Sequence, residues 1–359
     1  MFKIYQKYLI NSFLIKFLNV SVVFLSLTIV LGILDEISFL KNIEVGVLYP
    51  YLLTLLNAPI ILFEIFPFIF LLSTQFLFYD LFKKDELNLL KKNGLSNMSI
   101  VKILFFLSIV VGIFNVLIYY NIASTLKFHY SNIKNSLSDD NKYLAMVTES
   151  GLWIKDEFDE KTIIVKSASF KGNILFNTII NEFNNNFELI RTIQSNKIDI
   201  SVKDWEIYKP TITKDNISKS YIDSIILSTN FDEEKINSLF SDISTLDLFK
   251  LFDLKKDYEK LGYSSDEIKI HLLKLFTMPL FYGVLTILSA VIMFNFTRDK
   301  SLLFHIIIGI LMSVLIYYMN FIFNSLGNNG RVPVLMSIFF PLIIITCVSL
   351  IGLVRINEK

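Results

Sequence analysis

Between Lys83 and Ile100 the chain reads KKDELNLLKKNGLSNMSI, a charged segment held between two long apolar runs. Its residue types suit docking better than bond-making. Leu87, Leu90 and the aliphatic stems of the lysines can share one side of a short helix, Asn93-Gly94 supplies a left-handed stop, and Ser96 can cap the next helix. A rigid elbow is expected. The competing reading is a solvated basic loop that only fixes topology. Glu64 is a second residue of chemical interest, because an unpaired charge in or beside an apolar run is costly in lipid. Pro59 and Pro67 flank it, so an irregular, wet segment stands beside the reading of a functional intramembrane charge. Lys16 is expected to snorkel to the headgroups, and Asn115, Asn295 and Asn320 suit packing between helices.

Bond-making chemistry has little to stand on. The sequence holds no G-x-x-x-x-G-K-S/T loop, H-E-x-x-H, C-x-x-C or G-x-S-x-G motif, and His129, His271 and His305 fall in separate segments. No catalytic residue, metal site or cofactor is expected on this chain. Cys347 is the single cysteine, which excludes an intrachain disulfide.

The elements that must position the elbow are membrane spans. The chain has 359 residues, 53% of them hydrophobic and only 19% charged, with a mean hydropathy of +0.55. That composition excludes an ordinary soluble domain, and the net charge of +1 gives no global field for nucleic acid. Residues 10–34 are long enough, at about 1.5 Å per residue, to cross a hydrocarbon core of roughly 30 Å, and too long for a cleavable signal peptide. Residues 45–82 exceed one simple span and contain Pro50, Pro59 and Pro67, so an interfacial segment is expected up to Asn57 and span two from about 59 to 82. Residues 100–121, 272–296, 302–323 and 334–354 complete six spans, with both ends on one side.

Basic residues orient them. Lys3, Lys7 and Lys16, the elbow lysines 83, 84, 91 and 92, Arg298 and Lys300, and Arg355 and Lys359 all fall on one side, which the positive-inside rule makes cytoplasmic. The opposite loops carry Asp35, Glu36, Lys41 and Glu44, and a lone Arg331. The insert from about 127 to 266 then lies outside the cytoplasm. Alternating runs at 143–148, 152–155, 162–170, 174–180, 187–193, 197–202 and 205–211 suggest a sandwich or open barrel. Over 244–261 the period becomes helical, with Leu248, Phe249, Phe252 and Leu261 on one face. A capping box at Ser264 and Glu267 then opens span four. The expected fold is an α+β membrane protein of six transmembrane helices, three on each side of a β insert. Its parts are residues 1–126 with the elbow at 83–94, the insert 127–245, and a connecting helix with three spans over 246–359.

Four segments in this order, APIILFEIFPFIFLL, DELNLLKKNGLSNMSI, GLWIKD at 151–156 and NGRVPVLMSIFFP, resemble the LptF/LptG (YjgP/YjgQ) family of lipopolysaccharide-export ABC permeases along the whole chain. GLWIKD is more similar to the LptG branch. The resemblance implies an inner-membrane permease subunit that extracts lipopolysaccharide and passes it through a periplasmic β-jellyroll to a bridge of LptC/LptA-like jellyrolls. It also implies a second, LptF-like permease chain and an LptB-like ATPase dimer that holds the ATP and Mg. The elbow becomes the ATPase-coupling helix, Glu86 its docking acid, and Leu87, Leu90 and Gly94 its supports. Lipid would enter between spans one and five of the two permeases, with Lys41 and Arg331 as headgroup contacts. Lysines common in LptG-like proteins at the outer end of span one are replaced here by Gly32, Asp35 and Glu36. The alternatives are an ion-coupled transporter of another amphiphile, built around Glu64, and a membrane-anchored scaffold.

Overall fold

The computed structural model describes residues 3–41, 43, 45–137, 152–158, 161–171, 173–214, 217–231, 233, 236, 242–260, 264–294 and 302–357. It is an α+β chain with, among the described residues, six helices long and apolar enough to cross a membrane. Two compact units form, one from Met1–Tyr130, Asp247–Leu251 and Ser265–Lys359, the other from Ser131–Leu246 and Phe252–Ser264.

The first unit is a helical bundle. Helix α1 covers Ile4–Leu40 and α2 covers Tyr49–Lys83. The short α3 is Glu86–Lys92. Helix α4, Asn97–Phe114, continues through a π segment, Asn115–Tyr119, into α5, Tyr120–Leu137. Three further long helices follow later in the chain: α7 at Asp266–Phe294, α8 at Leu302–Asn328 and α9 at Val334–Asn357. Helix α7 opens at Asp266, one residue later than a cap at Ser264 requires.

The expected break in the second apolar run does not occur. Helix α2 passes through Pro59 and Pro67 for 35 residues, and the interfacial segment expected up to Asn57 is part of it. Pro50 lies in the first turn, where a missing N–H costs nothing. Deeper in, a transmembrane helix tolerates proline because neighbouring groups and small local adjustments compensate the freed backbone; nearby, Tyr119 Oη donates to the Pro59 carbonyl at 3.1 Å and ties α2 to the end of the π segment.

Packing within the bundle is aromatic on one side and small on the other. Phe13 and Phe17 of α1 meet Phe66 and Phe70 of α2, with Phe17 and Phe70 centroids 4.9 Å apart, and Phe70 stacks on Tyr282 of α7 at 4.4 Å. Helices α4 and α7 approach through Ser108 and Gly112. A Cβ on Gly112 would lie 2.7 Å from Pro279 Cα, and Ser108 Oγ shares a buried 2.8 Å hydrogen bond with Thr286 Oγ1. Small residues allow that approach where lipid offers no hydrophobic drive between helices. Further polar ties run from Ser289 Oγ to the Leu71 carbonyl and from Gln75 Nε2 to the His305 carbonyl. Asn115 does not supply another, since its Nδ2 is buried without a partner at the start of the π segment. Asn295 lies outside the described residues.

The second unit holds an antiparallel eight-stranded sheet. Its strands are β1 Leu152–Phe158, β2 Lys161–Lys171, β3 Ile174–Phe183, β4 Leu189–Asp199, β5 Asp204–Tyr208, β6 Thr211–Lys214, β7 Ile217–Ser220 and β8 Ile225–Ser228. They pair in the order β1-β2-β3-β4-β5-β8, while β4 also takes β6, which takes β7. The run expected at 143–148, Gly151 of the GLWIKD segment, and Glu44, Arg298, Lys300 and Lys359 lie outside the described residues. The runs expected at 187–193 and 197–202 are joined in one strand, β4, which begins at Leu189 and ends at Asp199, so 187–188 and 200–202 fall outside it; the run expected over 205–211 ends at Tyr208. There Lys209 takes φ +45 and Pro210 follows.

A shared change of phase explains the first of these differences. Ile180, paired with Val165 and Ile193, is buried with them, as are Thr178 and its partners Ser167 and Ser195. Past Asn177, at φ +49, burial passes to Leu175 and Ile198, an odd number of residues along each strand. The sheet therefore switches its buried face at one row across β3 and β4. Read as strict alternation, that row looks like a gap. The helix expected over 244–261 is α6, Leu248–Lys260. Leu248, Leu251 and Leu254 are its buried residues, and Phe249 is exposed, against the expected face; Leu261 lies outside the described residues.

Candidate functional site

The elbow is built from backbone reversals at both ends of α3. After α2, Lys84 N–H bonds back to the Asp80 carbonyl and Asp85 N–H to that of Phe82. Asp85 takes a left-handed φ of +58 and accepts from Asn88 Nδ2 at 2.6 Å. At the other end Gly94 N–H reaches the Lys91 carbonyl at 2.9 Å and Leu95 N–H the Leu90 carbonyl at 3.1 Å, the two bonds of a Schellman stop. Gly94 stands at φ +85 with open space where a Cβ would be, so its glycine answers a backbone requirement and no steric one. Ser96 Oγ then accepts from Ser99 N–H at 3.2 Å and starts α4.

The four elbow residues singled out from sequence come together here but divide in orientation. Leu87 and Leu90 are 2% and 8% exposed, so they face into the bundle and hold α3 against it. Leu89 is 62% exposed and, with Asn88, Lys91 and Lys92, forms the outward face. Glu86 sits half-buried at the start of the helix, and Tyr8 Oη of α1 donates to its Oε2. One carboxylate oxygen is thereby held against α1.

Sequence reasoning missed Tyr8, Leu89 and Asp80. Lys16 does not merely snorkel, because its Nζ lies 2.5 Å from Asp80 Oδ2 near the end of α2. Nothing in the linear pattern links residues this far apart. For Leu89 the signal was present, since inward leucines at 87 and 90 leave position 89 on the opposite side of a helix.

The remaining candidates stand apart from the elbow. Lys41 follows α1 and is exposed, and Arg331 is exposed in the turn after α8. Both belong to the bundle end opposite α3, where Glu36 accepts from Tyr130 Oη at 2.8 Å, Tyr120 meets His271 at 2.9 Å and Ile270 touches Gly327. Glu64 lies on an exposed flank of the unbroken α2, not in an irregular segment, and no ion pair reaches it among the described residues. The structure therefore brings Glu86, Leu87, Leu90 and Gly94 into one element and leaves Lys41, Arg331 and Glu64 as separate surface positions.

Within the sheet unit a cleft of about 620 Å³ opens at the phase-change row, lined by Asn177, Gln194, Lys197, Tyr208 and Lys209 among others. Lys197 Nζ lies 5.2 Å from the Tyr208 ring centroid. Hydrogen bonding to Glu206 raises the Tyr208 phenol above its ordinary pKa, and the Ser224 and Tyr208 hydroxyls hold the Glu206 carboxyl below its own.

A family model described as Lipopolysaccharide export system permease LptF/LptG matches residues 7–355, which take in all of the second unit, the first but for its terminal residues, and the elbow, Lys41, Glu64 and Arg331. A search of curated proteins returned no match.

Proposed function

The chain belongs to the LptF/LptG family of lipopolysaccharide export system permeases, and on that premise we propose that it is one membrane half of an ABC exporter whose ATP chemistry lies on a separate subunit. It is a multi-pass inner-membrane transport subunit, not a catalytic enzyme. The observation that carries the proposal is α3. A seven-residue helix is stopped at both ends, anchored by Leu87 and Leu90, turns Leu89 and two lysines outward and carries Glu86 half-buried at its start. Such a face fits a groove on a cytoplasmic LptB-like ATPase dimer holding ATP and Mg, with Glu86 meeting a cation there.

In this reading the α3 end of the bundle is cytoplasmic, with both chain ends beside it. Lys3, Lys7, Lys83, Lys84, Lys91, Lys92 and Arg355 supply the positive bias. The insert is then periplasmic. Its antiparallel sheet, with a buried apolar row, supports a jellyroll that receives lipid between three spans and three and hands it to an LptC/LptA-like bridge. Least covered of the six spans are α1 and α8, with 17% and 11% of their apolar windows buried against 50% and 61% for α2 and α7. That difference favours α1 and α8 as walls of a lipid passage shared with the second permease, the complementary member of the LptF/LptG pair. The LWIKD run in β1 favours the LptG-like place for this chain. Lys41 and Arg331 would meet lipid phosphates at the opposite end. ATP-driven closure of the two ATPases then brings the elbows together, narrows the passage and expels lipid toward the periplasm. An ion-coupled pump around Glu64 draws no support from an exposed carboxylate without a partnered site.

Purification of the tagged chain from its native membrane, with mass spectrometry of what accompanies it, tests the reading. An ABC-type ATPase and a second six-span permease are expected. Absence of both after mild extraction of intact chain would exclude it. Glu86→Ala should lose about 2 kcal/mol or more of ATPase association, and normal export at normal complex abundance would remove Glu86 from its role.

A further inference from the structure

The bond from Tyr8 to Glu86 joins α1 directly to α3, although α1 is the helix farthest from α3 in chain order among those at this end of the bundle's first half. A second polar tie, Lys16 to Asp80, lies two turns further along α1 and grips the last turn of α2, from which α3 departs. At about 1.5 Å per residue the two ties are roughly 12 Å apart on one helix. Between and beside them Leu9, Phe13 and Phe17 are buried, Phe13 and Phe17 against the aromatics of α2. Beyond Val20 one flank of the same helix is open, with Val22, Val23, Leu27, Val30, Leu31 and Leu34 exposed, while Thr28, Glu36 and Leu40 on the other are buried. One end of α1 is thus fastened at two points to the elbow and its stem, while further along one flank of the helix stays on the bundle and the opposite flank presents open apolar side chains.

We propose that Tyr8 and the Lys16–Asp80 pair are positioning residues that make α1 move as a lever with α3. This rests on the reading of α3 as the ATPase-docking helix. A displacement of α3 by its partner would pull Tyr8 through Glu86, tilt the fastened end of α1 and swing its exposed apolar wall. Leu87 and Leu90 alone would pass the displacement only into the body of the bundle. The Glu86 carboxylate then has two tasks, meeting the partner and, through Oε2, holding α1.

The experiment uses the complete complex from its native membrane, reading three quantities: ATPase recovered with the chain, ATP hydrolysed, and lipopolysaccharide released per ATP. Tyr8→Phe keeps the ring and removes only the hydroxyl. With it the ATPase should still copurify, while lipid released per ATP falls about tenfold, within the usual range of coupling between sites. Lys16→Asp and Asp80→Lys should each lower the same ratio and the double exchange should restore it, with ATPase recovery unchanged in all three, a combination that a merely structural defect would not show. Glu86→Gln keeps an acceptor for Tyr8 but loses the charge, so it should fail at ATPase recovery instead. Unchanged lipid per ATP in Tyr8→Phe overturns the lever. Loss of ATPase recovery in Tyr8→Phe also overturns it, making Tyr8 an orienter of the docking acid while the reading of α3 as the docking helix stands. Normal recovery and export in Glu86→Gln, with the double exchange behaving as wild type, would mean that the docking reading itself has failed.

Discussion

At the scale of single residues, the backbone decides Gly94 and hydrogen bonding decides Asp199. Gly94 needs φ +85 and meets no neighbour, so a β-branched side chain costs about 1–2 kcal/mol from conformation alone, and Asn is tolerated better. Gly94→Val should therefore reduce ATPase recovery and Gly94→Asn should largely retain it, as pull-down yields would show. Asp199, at the end of β4, accepts from the Ser201 hydroxyl at 2.6 Å and its N–H at 2.9 Å, and these bonds hold its carboxyl below the ordinary carboxylate pKa. A depressed folded-state pKa stabilises the fold above the unfolded value of about 3.9 and ceases to do so as pH falls through the folded one. Asp199→Asn should thus lower the melting temperature at neutral pH, with the gap to wild type closing below pH of about 4. The elbow's stop and cap residues were legible because Asn93-Gly94 and Ser96 act on backbone within a turn of themselves. Tyr8 was not, since its meaning comes from a residue across the bundle.

At the scale of elements, the α4–α7 contact depends on absent side chains. Gly112→Leu would drive a side chain into Pro279, where even a Cβ falls at 2.7 Å. Overpacking of this kind costs about 1–3 kcal/mol, and thermal unfolding of the detergent-solubilised chain should show it, while substitution of exposed Ile113 should not. In the sheet, Trp205 is fully buried and its Nε1 donates to the Phe231 carbonyl at 2.7 Å. Trp205→Ala should cost roughly 3–5 kcal/mol, read as loss of the insert's resistance to protease. Strands were found where alternation persists and misread where it changes phase. The gap between the runs at 193 and 197 is a continuous β4 turning its other face inward, a property of the sheet's bend and not of the local alternation. Prolines misled in the same manner at 59 and 67, because their cost is set by what surrounds the helix.

At the scale of the whole molecule, a helical bundle and a sheet unit make up a chain of the lipopolysaccharide-export permease family. Replacing residues 131–264 by a short flexible linker should leave the spans inserted and the ATPase bound but abolish lipid transfer, as copurification and export assays on one preparation would reveal; retained transfer would remove the insert from the path. The sequence by itself determined the membrane class, the six apolar helices, the β character of the insert and the place of the elbow. All of these follow from composition and from periodicities of two and 3.6, which act over a few neighbouring residues. Only the tertiary structure decided that Leu87 and Leu90 point inward while Leu89 points out, that Lys16 finds Asp80 and Tyr8 finds Glu86, and that α1 and α8 are the uncovered spans. Those outcomes are set by which helices lie side by side, and the energy that selects neighbours is a sum over contacts between residues distant along the chain.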